Sequence, residues 1–154
     1  MTDNYQTPDA ELASENIEDV EYAGFWLRVV ASLLDSIIVL IAIMPLYFLV
    51  VDFDVILAGG NGGFAGAFVS NILPSILVVA FWIWKGATPG KMILKIRIID
   101  AKTGEKIGAG QSILRYIGYF VSMLPLFLGI IWVAFDKKKQ GWHDKIAGVV
   151  VVKN

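Results

Sequence analysis

The sequence predicts an all-α membrane protein: two transmembrane helices, a third hydrophobic helix that is broken and either re-enters or spans, and a basic amphipathic cytoplasmic segment. Three observations predict it. Apolar residues make up 56% of the 154 residues and charged residues only 18%, against roughly 45–50% and about 25% in soluble domains. A chain this short cannot hide so much apolar surface in a water-soluble core. Three apolar runs, 25–51, 64–84 and 113–135, each reach the ~20 residues that cross a bilayer. Lysine and arginine gather in the segments that follow the second and third runs.

The chain opens with an acidic head. Residues 1–23 hold seven acids and no Lys or Arg, while the remainder holds 13 basic residues against seven acids. A polar, single-sign stretch without periodicity reads as a disordered tail, taken as residues 1–21, ahead of a membrane domain over 22–154. It lacks the basic start and immediate apolar run of a signal peptide. The chain has no cysteine, so disulfides and thiol chemistry are excluded.

The first run carries Pro45 in its outer half, and a flexible link, Asp52 to Gly63, follows it. The second run opens with Gly62, Gly66 and Ser70 at four-residue spacing, a stripe that permits close helix approach. Asn71 and Pro74 lie further in, and Trp82 and Trp84 suit an aromatic belt at its exit. In the basic segment, Thr88-Pro89 resembles a helix start with a capping hydroxyl and a first-turn proline. Lys95 to Ile99 partly alternates and Asp100 to Gly104 offers turn chemistry, which together allow a short hairpin. The third run carries Arg115 near its start and is interrupted by Pro125 and Gly129. The tail ends in Val149 to Val152, too short to span.

Orientation follows from the basic residues. The link after the first run has none, whereas Lys85, Lys91, Lys95, Arg97, Lys102 and Lys106 follow the second. The positive-inside rule places that segment, and therefore the N-terminus, in the cytoplasm. A third full crossing would then export Lys137, Lys138, Lys139, Lys145 and Lys153. Two half-helices, about 113–124 and 126–135, joined at Pro125 and re-entering the membrane would avoid this, at the cost of requiring protein or a wet cavity around the break. The alternative is a full span with its basic tail tolerated.

The most informative residues are Arg28 and Asp35 in the first run. Seven residues apart, they project from one helix face, roughly 10 Å apart along the axis. Arg28 can snorkel to the headgroups. Asp35 cannot, and a carboxylate near mid-membrane costs ~2.5–3.5 kcal/mol unless it has a partner, a wet cavity or a proton. It is therefore a candidate ion or proton site, because a poorly solvated carboxylate can trade a proton for a hard cation. The competing reading is a structural ion pair. Arg115 and Asn71 are the further candidates for such a polar network.

The segment Gly24-Phe25-Trp26-Leu27-Arg28-Val29-Val30-Ala31-Ser32-Leu33-Leu34-Asp35 resembles the start of the RDD family of membrane proteins. Pro89-Gly90-Lys91, Ile96 to Asp100, Leu114-Arg115-Tyr116, Leu124-Pro125-Leu126 with Gly129, and His143-Asp144-Lys145-Ile146-Ala147-Gly148 continue the resemblance in order, over about residues 22–152. It implies that Arg28 and Asp35 are two of the three namesake residues, with Asp144 the third. Val149 stands where family members usually carry Thr, which weakens any role for a hydroxyl there. Cation transport against protons and a bacterial inner-membrane location are what the resemblance implies.

His143, beside Asp144, is the only histidine. It is a candidate proton relay because imidazole titrates near neutrality; alternatively Asp144 caps backbone donors or pairs with Arg115. One His and no Cys exclude an ordinary metal site, and no cofactor is expected. Gly86 to Lys91 is one residue short of a phosphate loop and has Met92 where Ser or Thr is required. No nucleophile–base pairing appears, so an enzyme is not expected. The lysines hug membrane segments, which argues against nucleic acid as a partner. The leading reading is a secondary transporter exchanging small monovalent cations such as sodium for protons through Asp35, Arg28 and Asp144. Its alternative is a membrane scaffold or accessory subunit with a structural Arg/Asp network. So few spans can hardly enclose a polar path alone, so a homo-oligomer or a larger membrane partner is expected besides the lipid bilayer.

Overall fold

The computed structural model describes residues 20–154, so most of the acidic tail lies outside the described residues. Helix α1 (Phe25–Val50) is 26 residues long, about 39 Å at about 1.5 Å per residue, more than a hydrocarbon core of ~30 Å requires. Its β-branched and leucine residues leave apolar side chains around most of its circumference, and Leu33, Ile37, Leu40, Ile41 and Leu49 are all exposed. A single turn, α2 (Phe53–Leu57), and a glycine loop lead into α3 (Gly63–Lys85). Both α1 and α3 are long and apolar enough to cross a membrane.

Helix α3 widens to π geometry over Phe68–Ile72, one turn before Pro74. Proline gives no N–H to the preceding turn and its ring crowds a carbonyl there; a π turn is one way a helix absorbs that mismatch. Side chains satisfy part of the disturbed backbone: Asn71 Nδ2 donates to Ala67 O at 3.1 Å and Ser75 Oγ to Asn71 O at 2.8 Å. Gly66 faces the preceding loop, where an added Cβ would meet Asn61 O at 1.8 Å. The small-residue stripe thus closes the glycine loop onto the helix start.

The chain is not all-helical, and here the predicted fold class needs correcting. After the short helix α4 (Pro89–Ile93) comes strand β1 (Ile96–Asp100), which pairs antiparallel with β2 (Val149–Lys153), with Ile98 opposite Val151. The expected hairpin survives only as a single bridge from Ile99 to Lys106. The principal partner of β1 is some 50 residues away, beyond the reach of local turn signals. Residues 21–23 line the other edge of β2: Lys153 N donates to Glu21 O and Ala23 N to Val151 O, both at 2.8 Å. The four valines of β2 are almost wholly buried: Val149 and Val151 pack with Ile96, Ile98, Ala31 and Trp82, and Val150 and Val152 pack on the other face with Ile99 and Tyr22.

The third hydrophobic segment is broken. Helix α5 (Ala109–Met123) and helix α6 (Leu128–Ile131), which tightens to 3-10 geometry over Trp132–Ala134, meet at 114°. Leu126 and Phe127 take left-handed backbone at φ 53° and 62°, which leaves the helix after Pro125. Beyond 90° the second half turns back along the first. Leu124, Leu126 and Phe135 at the bend and its far end are 81%, 85% and 79% exposed, surfaces suited to lipid. Helix α7 (Trp142–Ala147) sits in the crook. Gly118 admits it, because a Cβ there would fall 2.8 Å from His143 Cα, and Gly129 lets α6 fold close against α5, where a Cβ would fall 2.7 Å from Ser122 Cα. Since β1 precedes this segment and β2 follows it, both its ends lie at the sheet end of the molecule.

Candidate functional site

The ionisable residues form two linked clusters. In the first, Arg28 spends every donor nitrogen: Nε donates to Ala23 O at 3.0 Å, Nη1 to the Asp144 carboxylate, and Nη2 to Lys139 O. Asp144 also accepts from Arg115 Nε at 2.8 Å and from Gly141 N at 3.2 Å. One carboxylate with no exposed surface therefore ties together the start of α1, the middle of α5 and the start of α7. Burial by itself would raise the pKa of Asp144, but the Arg115 and Arg28 guanidiniums outweigh it and hold the carboxyl well below the usual range. Arg115 lies 4.7 Å over the Trp82 ring.

His143 joins this cluster by stacking. Its ring lies 3.9 Å from that of Tyr119, with Nδ1 3.4 Å from Ser122 Oγ and Nε2 3.4 Å from Asp144 Oδ1. Burial lowers its pKa to about 3, and Asp144 only partly opposes this. A buried imidazole that stays neutral far below pH 7 has no proton to trade near neutrality, so the expected relay role does not fit its surroundings.

The second cluster is built on Asp35. Its Oδ1 accepts the Gly90 N–H at 2.6 Å, and its Oδ2 accepts the Thr88 hydroxyl and lies 3.4 Å from Lys91 Nζ. Thr88 stands at the N-cap of α4, yet its hydroxyl does not cap that helix. Asp35 reaches across from α1 and takes the first-turn donor that a cap would satisfy. Gly90 makes this possible: a Cβ there would meet Ala31 O at 2.5 Å and Asp35 Oδ1 at 2.8 Å. Burial lowers the Lys91 pKa to about 8, with Arg115 adding to the effect and Asp35 opposing it. Asp35, Thr88 and Lys91 line one end of a cavity of about 500 Å³ between α1, α3 and α5.

Several expectations change. Arg28 does not snorkel to a headgroup, and its donors serve Asp144, Lys139 and Ala23 instead of Asp35. Asp35 is level with residues just past the end of α3, not with the middle of that helix, because the first turns of α1 are packed into the sheet end. Asn71 is exposed and its side chain bonds Ala67 and Ser70, so it joins neither cluster, whereas Arg115 is integral to the first. Thr88, expected as a capping hydroxyl, and Lys91, expected only as one of the basic residues after the second run, are instead the side-chain partners of Asp35. Among the described residues no three His, Cys, Asp or Glu side chains converge as metal ligands do.

The RDD family profile matches residues 22–148, from the strand-paired Tyr22 through Arg28, Asp35 and Asp144. The chain belongs to the RDD family. Among RDD-type relatives, the uncharacterized protein YckC of Bacillus subtilis is 35% identical over 134 residues, covering 84% of this chain and 83% of its own. The uncharacterized membrane protein YteJ of the same organism is 28% identical over 137 residues, covering 85% and 80%. The uncharacterized protein RP437 of Rickettsia prowazekii is 39% identical over 88 residues, 56% of this chain and 49% of its own, so the chain spans about half that relative's length. No solved structure matches. The RDD protein is a membrane protein, mostly helical, with two to three candidate spans.

Proposed function

We propose that this RDD protein exchanges a small monovalent cation for a proton at Asp35. The observation that carries the reading is the contrast between Asp144 and Asp35. Asp144 is sealed and doubly paired, whereas Asp35 is partly exposed and shares one loose contact with an ammonium at the end of a cavity. Lys91 titrates near pH 8. When it gives up its proton, the Asp35 carboxylate and the Thr88 hydroxyl remain as oxygen ligands for a hard cation. A proton on Lys91 and a cation on Asp35 are then alternative ways of placing one positive charge in the same spot, which makes the exchange one for one. The Arg28–Asp144–Arg115 clasp holds the framework.

In the same reading, α1 and α3 cross the membrane and α5–α6 re-enters. Pairing of β1 with β2 supports this, since it leaves an even number of crossings between them. All the lysines that follow the second and third runs then share one side, which the positive-inside rule makes cytoplasmic, together with the N-terminus. The location would be a bacterial inner membrane. With so few spans, a second copy or a larger partner would complete a path, and crosslinking in native membranes would trap it.

The test is proton flux in proteoliposomes reporting internal pH after addition of sodium, lithium or potassium. Wild type should show cation-driven flux, and Asp35→Asn and Lys91→Met should abolish it. Absence of flux from folded wild type would sink the reading. It would leave the scaffold alternative, which the sealed clasp favours.

A further inference from the structure

The cavity between α1, α3 and α5 has a polar end and a long apolar body. Asp35, Thr88 and Lys91 stand at one end, and Ile38, Ile43, Leu77, Phe120 and Met123 line the rest. From Asp35 to Ile43 the helix rises about 12 Å. At about 500 Å³ the space falls within the range of ligand pockets, ~300–1,000 Å³. It is the shape of one alkyl chain below a head group.

Among the described residues the charges around the polar end do not balance. Arg28, Arg115 and Lys91 supply three positive charges, and Asp35 and Asp144 supply two negative ones. His143 is neutral near pH 7. A buried surplus charge is costly unless something compensates it. Among the described residues two buried donors also lack acceptors, Trp82 Nε1, on a residue that lines the cavity, and Arg115 Nη1; such orphans are uncommon in native structures. Among the described residues the one carboxylate that Lys91 meets lies at 3.4 Å, and it already accepts from Thr88 and Gly90. The polar end is one anion short, and the walls beyond it are apolar.

We propose that this cavity binds a single-chain fatty carboxylate, with its head on Lys91 Nζ and its alkyl chain between α1, α3 and α5. A cationic amphiphile would add to the surplus charge. A neutral one would leave it uncompensated. Occupancy keeps Lys91 protonated, so it excludes the deprotonated state that cation exchange needs. The binding itself is read without any flux, so failure of one proposal is distinguishable from failure of the other.

The experiment is equilibrium binding of tritiated palmitate to the full chain in phosphatidylcholine nanodiscs, with empty discs as background and the thermal transition as the check on folding. Saturable binding above background is expected. Lys91→Met should weaken it roughly ten- to a hundredfold, the range a charge-assisted hydrogen bond commands. Hexadecanol should bind wild type more weakly than palmitate, and Lys91→Met should not change its affinity. Ala42→Phe, which fills the cavity from α1, should abolish binding of both. No saturable palmitate binding to folded wild type would overturn the proposal. So would equal affinity for the acid and the alcohol, or displacement by phosphatidylglycerol at lower concentration than by unlabelled palmitate.

Discussion

Asp144→Asn removes one negative charge and almost no volume from the centre of the sheet end. The wild-type carboxylate has no exposed surface and is the shared partner of Arg28 and Arg115. Asparagine keeps one carbonyl acceptor, yet leaves two guanidiniums facing each other without a counter-charge. Breaking a buried pair by removing one partner costs about 3–5 kcal/mol, a large part of the ~5–15 kcal/mol by which domains are stable. By soluble-domain scaling that is a fall in Tm of roughly 6–20 °C. The assay is thermal unfolding of the full chain in nanodiscs, followed by circular dichroism. Lys145→Met is the control: its partner is Asp136 at 2.7 Å, its side chain is 44% exposed, and such pairs contribute about 0–1 kcal/mol. Arg28→Gln should be far less damaging in the Asp144→Asn background than in wild type, with a coupling of about 0.5–3 kcal/mol. A Tm for Asp144→Asn within about 2 °C of wild type, or strict additivity in the double variant, would refute the clasp.

Three further outcomes are expected. His143 titrates at about 3 in the fold against 6.5 outside it, so the unfolded chain binds more protons between those values and stability falls as pH drops from 6.5 toward 3. The slope is at most about 1.4 kcal/mol per pH unit, and His143→Gln should flatten it in denaturation at stepped pH; an unchanged slope would contradict a neutral buried imidazole. Gly90→Ala drives a Cβ against Ala31 O and the Asp35 carboxylate, which should cost about 1–3 kcal/mol in the same thermal assay and abolish cation-driven flux; retention of both would show that α4 is not seated on Asp35. The chain has no cysteine, so single cysteines at Lys102, Lys138 and Asn61 report topology directly in cells and inverted vesicles. A membrane-impermeant maleimide should label the first two from one side and the third from the other; opposite labelling of Lys102 and Lys138 would rule out re-entry.

The two long helices were legible because hydrocarbon length and apolarity are local properties: 25–51 and 64–84 became Phe25–Val50 and Gly63–Lys85. The break near Pro125 was legible for the same reason, since a missing N–H acts on its own turn. The sheet was not. β1 pairs with a strand beyond the whole third segment, and four consecutive valines without alternation look alike in a strand and in a buried helix fragment. The direction of the third segment followed from that pairing and not from its composition.

The sequence by itself also marked Arg28 and Asp35 as residues in need of polar partners. An Arg and an Asp inside an apolar run are costly there whatever the fold, and both proved to be buried or partly buried in polar contacts. Only the tertiary structure decided who meets whom. Arg28 and Asp35 share a helix face, which suggested that they act on each other. Yet an arginine has a long reach and several donors, and it found Asp144, 116 residues away in sequence. Asp35, with one methylene, took what α4 brought to it once Gly90 allowed the two backbones to touch. Spacing fixes a side chain's direction from its own helix, whereas the partner in that direction depends on how distant segments pack.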